Sequence, residues 1–350
     1  MATSDSSRAG FLPARVIHLH PSRFCNLACQ HCYSASGPHV RGELAPDAII
    51  DALVSLRREG YEVLSLSGGE PLLYSGFEQV VQAAVALGFK ITLITNGTPL
   101  GGQGGEQLLN VIAQSVNLIA VSLDGAPETH VQMRGHRHAF TRAERAIDRL
   151  AAVGVKVGIA YCLSQKSLAD MPWAVEFAEK KGASLVQFHP FAATGRGQQL
   201  ATSLSLNETE KTRAYVIAAL LETDKGPAIQ LDLAPVEALR ARRSDYALLG
   251  DNAASFSALS NLVNPLIIDE LGRMLPLCYG IHPGYSLGQI GPNMGSLIAN
   301  YKLAGWRDLY TLLNASFTQL GTHGEQFVDW FYHIVETSYQ PWPSPFAAAE

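Results

Sequence analysis

An α/β fold built around a parallel sheet is the architecture this sequence predicts, and three observations predict it. Short stretches rich in Val, Ile and Leu alternate with segments of helical spacing, in six βα-type units at roughly 30-residue intervals. The strand segments are apolar enough to be covered on both faces, as parallel strands are. The conspicuous polar and glycine residues follow strand C-termini, the edge at which parallel folds place their sites. The pattern leaves open whether the sheet is doubly wound or a full or partial barrel. Several loops meeting at one mouth favour a curved, barrel-like sheet.

The elements follow in order. RVIHLH (15–20) reads as the first strand, and a cysteine-bearing loop follows it. PDAIIDALVSLR (46–57) has helical spacing with Pro46 at its start. YEVLSLS (61–67), KITLIT (90–95), VNLIAVS (116–122), VKVGIAYCL (155–163) and SLVQFH (184–189) are the next five strands. Helices are expected between and after them, over 76–87, 105–114, 139–153 and 169–181. GGQGG (101–105) matches neither a dinucleotide-binding nor a P-loop pattern and reads as a flexible connection. Beyond 195 the rhythm changes. NETEKTRAYVIAALLE (207–222) reads as a helix with Asn207 and Glu210 spaced as a capping box. Residues 240–262 look irregular, NPLIIDELGRMLPLC (264–278) reads as a hairpin turning near Gly272, and helices are expected near 296–315 and 322–337. The chain divides accordingly into a disordered lead (1–14), a barrel (15–200), a helical and irregular connection (201–262), a smaller α+β extension with the last helices (263–340) and a proline-bearing tail (341–350).

Composition narrows the function. A formal charge of −5 over 350 residues gives no basic stripe for nucleic acid. The apolar fraction of 47% supports a large core. No apolar run reaches the ~18 residues of a membrane span, and MATSDSSRAG lacks the basic-then-apolar pattern of a signal peptide. A cytoplasmic location with reduced thiols is therefore expected, and there clustered cysteines mean metal or redox chemistry more often than disulfides. No H-E-x-x-H or G-x-S-x-G stretch offers a hydrolytic apparatus.

Three of the five cysteines, Cys25, Cys29 and Cys32, lie within RFCNLACQHCY (23–33). A structural zinc site wants four ligands, usually as two paired knuckles, and no second C-x2-C is present. A [4Fe–4S] cluster takes one thiolate per iron, so three cysteines leave one iron open to an outside ligand.

This C-x3-C-x2-C loop after the first strand resembles the hallmark of the radical S-adenosylmethionine (SAM) superfamily, with His31 in the aromatic position. The resemblance covers roughly 15–200. It implies a partial (β/α)6 TIM-like barrel, one [4Fe–4S] cluster on Cys25, Cys29 and Cys32, and SAM chelated by the open iron. The reduced cluster would split the sulfonium bond to give a 5′-deoxyadenosyl radical that takes a substrate hydrogen atom. SGGEP (67–71) is similar to the family's GGE motif, which implies that Gly68, Gly69 and Glu70 hold the SAM ammonium group. Thr95, Asn96, Ser122 and Asp124 fall where family members contact SAM or substrate. Ile159 would pack on the adenine, and Arg196 would pair with the SAM carboxylate. RGHRH (134–138), after strand four, reads as a solvated basic loop.

PLIIDELGRMLPLC with LGQI (287–290) resembles the start of a SPASM or twitch extension. That extension normally brings many cysteines for auxiliary clusters, yet only Cys162 and Cys278 remain here. One cluster is thus expected, with the hairpin kept as a lid or substrate platform. Cys162 reads as an apolar filler. Cys278 is the candidate catalytic residue, returning a hydrogen atom to a substrate radical. Cys25 comes too early for a leader-binding domain before the barrel, so either a separate protein presents a peptide or the substrate is small. The leading expectation is a radical SAM enzyme modifying a peptide in natural-product maturation, served by an external electron donor such as flavodoxin or ferredoxin. The alternatives are action on a small metabolite or cofactor precursor, and a non-catalytic iron–sulfur protein.

Overall fold

The computed structural model describes residues 14–102, 104–243, 257–322 and 324–340. The expected lead, but for Ala14, and the expected tail lie outside these residues, as does most of the irregular stretch. The described chain runs β1 (Val16–Leu19), α1 (Pro46–Arg58), β2 (Val63–Leu66), α2 (Phe77–Ala86), β3 (Lys90–Thr95), α3 (Thr98–Gly101), α4 (Glu106–Ser115), β4 (Leu118–Ser122), α5 (Pro127–Arg134), α6 (Ala139–Ala152), β5 (Val157–Leu163), α7 (Met171–Lys180) and β6 (Leu185–Pro190). It continues through α8 (Ala201–Leu204), α9 (Glu208–Leu221), β7 (Ala228–Leu231), β8 (Ala234–Pro235), α10 (Val236–Ala241), β9 (Leu266–Ile268), β10 (Arg273–Pro276) and β11 (Gly288–Gln289). The C-terminal helices are Met294–Asn300, Trp306–Gln319 and Trp330–Ser338, the first two joined through a π-turn at Tyr301–Gly305.

All of these strands but β8 form one sheet in the order β11-β10-β9-β1-β2-β3-β4-β5-β6-β7, parallel from β9 through β7, while β8 pairs antiparallel with Phe327–Val328 in a separate two-stranded sheet. Side chains alternate faces along each strand, and the register joins them into rows. Leu19, Leu66, Leu93, Ile119 and Val157 make one apolar row, and Val121, Ile159 and Val186 make another. These rows lie under helices whose buried residues recur at i, i+3, i+4 and i+7: Ile49, Ala52, Leu53 and Leu56 on α1, and Ala143, Ala146, Ile147 and Leu150 on α6. The opposite face is polar or small. It carries His18 and Ser65 in one row and Ser122, Ala160 and Gln187 in another.

The sheet curls around that polar face. Four strands separate β1 from β6, which in a flat sheet would set them about 24 Å apart. Yet burial first, and then repulsion from His189 on β6, lowers the pKa of His18 on β1 to about 4. This is the barrel-like course the loop positions favour.

Two regions differ from expectation. The connection after 200 contributes β7, a seventh parallel strand beside β6. The hairpin at 264–278 does not stand apart, because β9 runs parallel to β1 and extends the same sheet. The capping box forms as read, with Asn207 and Glu210 exchanging side-chain to backbone hydrogen bonds. Among the described residues, no helix is long and apolar enough to cross a membrane.

Leu66, fully buried in the central apolar row, should lower unfolding free energy by about 2–5 kcal/mol on Leu66→Ala. Exposed Leu220 on α9 should change it by under about 0.5 kcal/mol on Leu220→Ala. Urea unfolding of both variants checks this.

Candidate active site

The loop after β1 carries Cys25, Cys29 and Cys32 over the C-terminal edge of the sheet. Cys25 and Cys29 are buried and Cys32 is partly exposed. The loop is seated by backbone contacts. Gly69 N–H donates to Ser22 O and Glu70 N–H to Phe24 O, both at 2.9 Å, and Cys25 N–H donates to Gly37 O. These contacts explain the two glycines after β2. A Cβ on Gly69 would lie 2.1 Å from the Phe24 carbonyl oxygen, and one on Gly68 (φ +105°) 2.7 Å from Ser22 O. Beside the SAM contact that the resemblance implies for them, these glycines let the turn approach the cysteine loop itself.

Glu70 is buried and fully engaged. Its Oε1 accepts from Leu72 N–H and Thr95 Oγ1, and its Oε2 from Asn96 N–H. Burial raises its pKa to about 7, against the pull of those hydrogen bonds. Glu70 thus ties the end of β2 to the end of β3. Thr95 also accepts from Gly97 N–H, and Asn96 donates from Nδ2 to Asn26 Oδ1 at 3.0 Å and to Cys25 Sγ at 3.6 Å. Asn26, within the cysteine motif, in turn donates to Thr98. Spacing alone gave Asn26 no role.

Asp124, expected to contact SAM or substrate, is wholly enclosed. Its oxygens meet Arg134 Nη2 (2.9 Å), Arg134 Nε, His31 Nε2 (3.3 Å) and Cys162 N–H (3.3 Å). Although burial opposes ionisation, Arg134 and His31 hold its carboxyl down at about 2. The carboxylate organises the site's floor: Oδ1 accepts from Arg134 and the Cys162 N–H, while Oδ2 is ion-paired with Arg134 and His31 but has no aligned hydrogen bond. The solvated-loop reading of RGHRH is corrected at its first residue. Arg134 closes helix α5, which the periodicity did not reveal, and points inward with Nη1 3.8 Å from Cys29 Sγ. His136 and His138 remain outside.

Arg196 donates from Nε to Cys29 O and from its backbone N–H to Cys32 O, and its Nη2 is buried without a hydrogen-bond partner. A Cβ on Gly195 (φ +55°) would lie 2.3 Å from Tyr33 O, so this corner presses on the loop's end. Ser122 sits on the polar face at the end of β4. Ile159, expected to pack on the adenine, does not: it shares the helix-covered face with Val157 and Tyr161 and is fully buried there. Cys162 does face the lumen, packed with Met133, Phe191 and Leu204. Cys278 lies in the main apolar core and burial pushes its thiol pKa up. Its apolar packing supports the filler reading of this cysteine over the hydrogen-donor expectation, which a Cys278→Ala variant would test.

The hairpin also reaches the loop. Tyr279, just past β10, stacks on His20 at 4.5 Å and meets Tyr33 edge-on at 5.3 Å. Its hydroxyl donates to Glu270, which pairs with Arg23 at the loop's start. The segment expected as a lid or platform braces the cysteine loop from the β1 side.

The donor set fits an iron–sulfur cluster. Burial, followed by nearby Glu70, pushes the Cys25 thiol up to about 12, and burial also raises Cys29, so without a bound cation these two thiols stay protonated. Among the described residues no three His, Cys, Asp or Glu gather around one ion, whereas a cubane takes each thiolate on a different iron. The unpartnered Arg196 Nη2 adds a buried donor beside the loop for an anionic group.

Comparison with known proteins agrees. Residues 19–178 match the Radical SAM superfamily, and this part of the chain is a radical SAM domain. That family uses a [4Fe–4S] cluster and SAM. The chain is 30% identical over 201 residues to the Fe-coproporphyrin III synthase of Methanosarcina barkeri, covering 56% of this chain and 49% of that one. It is 30% identical over 193 residues to the mycofactocin maturase MftC of Mycobacterium tuberculosis, covering 55% and 48%. The chain thus spans about half the length of the curated relatives it matches. In fold it is similar to Streptococcus suis SuiB bound to precursor peptide SuiA, with a TM-score of 0.59 at 16% identity, over 75% of this chain and 59% of that one.

Gly69→Ala should displace the cysteine loop. The expected outcome is an intact far-ultraviolet spectrum with iron binding after anaerobic reconstitution well below that of the unaltered chain, measured by iron assay. Full iron loading would show that the turn does not seat the loop.

Proposed function

We propose that the chain is a radical SAM enzyme that modifies a peptide in natural-product maturation. The observation that carries the chemistry is the seating of Cys25, Cys29 and Cys32 against the Gly68–Glu70 turn at the mouth of a polar lumen. Those three cysteines would hold one [4Fe–4S] cluster. When bound, that group supplies the electron that splits SAM and yields the radical that takes the substrate's hydrogen atom. The chain's residues bind and orient. Glu70 and Asn96 fix the loop that faces the SAM ammonium group, and Arg196 offers its free Nη2 to the SAM carboxylate. Ser122 and the small residues of β5 leave room in the lumen for the substrate. An external donor such as flavodoxin or ferredoxin would reduce the cluster.

A peptide substrate is supported by the fold shared with SuiB, solved with its precursor peptide, and by similarity to a maturase. A second reading, action on a tetrapyrrole-like metabolite, is favoured by equal identity to the Fe-coproporphyrin III synthase. The hairpin would belong to a SPASM-like extension that has lost its auxiliary cysteines.

Anaerobically reconstituted protein given dithionite and SAM should hold about four irons per chain and release 5′-deoxyadenosine. Alanine at Cys25, Cys29 or Cys32 should abolish both. Undiminished 5′-deoxyadenosine from a triple-alanine chain would refute the proposal. A precursor peptide that raises product release, where coproporphyrin does not, would decide for the peptide.

A further inference from the structure

We propose that Arg134 tunes the cluster, raising its reduction potential by donating a charge-assisted hydrogen bond to the Cys29 sulfur. The inference rests on the reading of Cys25, Cys29 and Cys32 as cluster ligands and goes beyond it by assigning a residue outside the motif to the cluster's electronics.

Three observations carry it. Arg134 Nη1 lies 3.8 Å from Cys29 Sγ, and among the described residues it is the one cationic side chain with a hydrogen bond to a motif sulfur. Its aim is set by Asp124, which has no exposed surface, accepts a hydrogen bond from Nη2 and ion-pairs with Nε, leaving Nη1 toward the sulfur. Asp124 is itself held by His31, between Cys29 and Cys32, and by the Cys162 N–H. The pair is also a poor stabilising device. A buried ion pair is often no better for stability than apolar residues of the same volume, so its place against a ligand sulfur asks for another reason.

Hydrogen bonds and charge at the sulfurs are among the determinants of an iron–sulfur cluster's potential. Reduction adds one negative charge to the cluster. A guanidinium donor beside a ligand sulfur stabilises that reduced state more than the oxidised one, so it moves the midpoint upward. Asp124 offsets part of the guanidinium's charge and fixes its direction. Lysine would keep the charge but lose the fork that lets one side chain hold Asp124 and reach the sulfur together.

The test is an electron paramagnetic resonance redox titration of the full chain, anaerobically reconstituted, as the unaltered protein, Arg134→Gln and Arg134→Lys, with iron counted in each. The expected result is equal iron in all three, a midpoint shifted to more negative potential in Arg134→Gln, and a smaller shift in the same direction in Arg134→Lys. An unchanged or more positive midpoint in Arg134→Gln at full iron would overturn the inference and leave the cluster assignment standing. Loss of iron from both variants, with the unaltered chain loaded, would also overturn it, since Arg134 would then be a structural anchor. Absence of iron from the unaltered chain would instead remove the cluster reading on which the inference rests.

Discussion

The site depends on backbone lying directly against backbone where the turn after β2 crosses the loop after β1. Gly68 and Gly69 leave no room for a Cβ, and the hydrogen bonds from Gly69 and Glu70 to Ser22 and Phe24 set where Cys25 falls. Everything around the loop holds that contact in place. Glu70 carries it to β3, Asn96 and Asn26 carry it back to Cys25, and Arg196 closes the far end on the carbonyls of Cys29 and Cys32. A loop of 26 residues joins β1 to α1 (20–45), too long to keep three thiols in fixed relation unless its backbone is bound along its length.

Electrostatics adds a second layer. The lumen near β1 keeps its histidines neutral, with burial and then His18 lowering His20 to about 3. Burial and neighbouring acids likewise resist ionisation of the Cys25 and Cys29 thiols. Full positive charge enters the site through Arg134 and Arg196, each fixed by its own contacts. Such preset charges need little reorganisation when a charged group binds. The β9–β10 hairpin belongs to the same arrangement. By pairing with β1 and stacking Tyr279 on His20, it makes the chain's C-terminal part a wall of the cysteine loop's seat.

Local chemistry made much of this legible in the sequence. The strands through β6 follow from apolar runs of the right length, and KITLIT coincides with β3. The three cysteines and the SGGE turn stand out because their residue types and spacing suit few other purposes. The missed features depend on distant partners. Arg134 looked like part of a solvated basic run because its partner, Asp124, meets it only when α5 folds back on β4. β9 looked like half of an isolated hairpin because its parallel partner lies some 250 residues earlier. β7 is short, and its edge position leaves alternate residues exposed, which weakens the apolar signal. Ile159 was assigned to a ligand although period-two alternation places it with Val157 and Tyr161, under the helices.

The central claim is that the seated loop presents a cluster with one iron left open to SAM. Electron paramagnetic resonance of the reduced, anaerobically reconstituted chain, recorded before and after adding SAM, tests it most directly. The account predicts one cluster signal whose shape changes on SAM addition, as the open iron gains ligands. A signal that SAM leaves unchanged, in a chain fully loaded with iron, would mean that no iron is open and would contradict it.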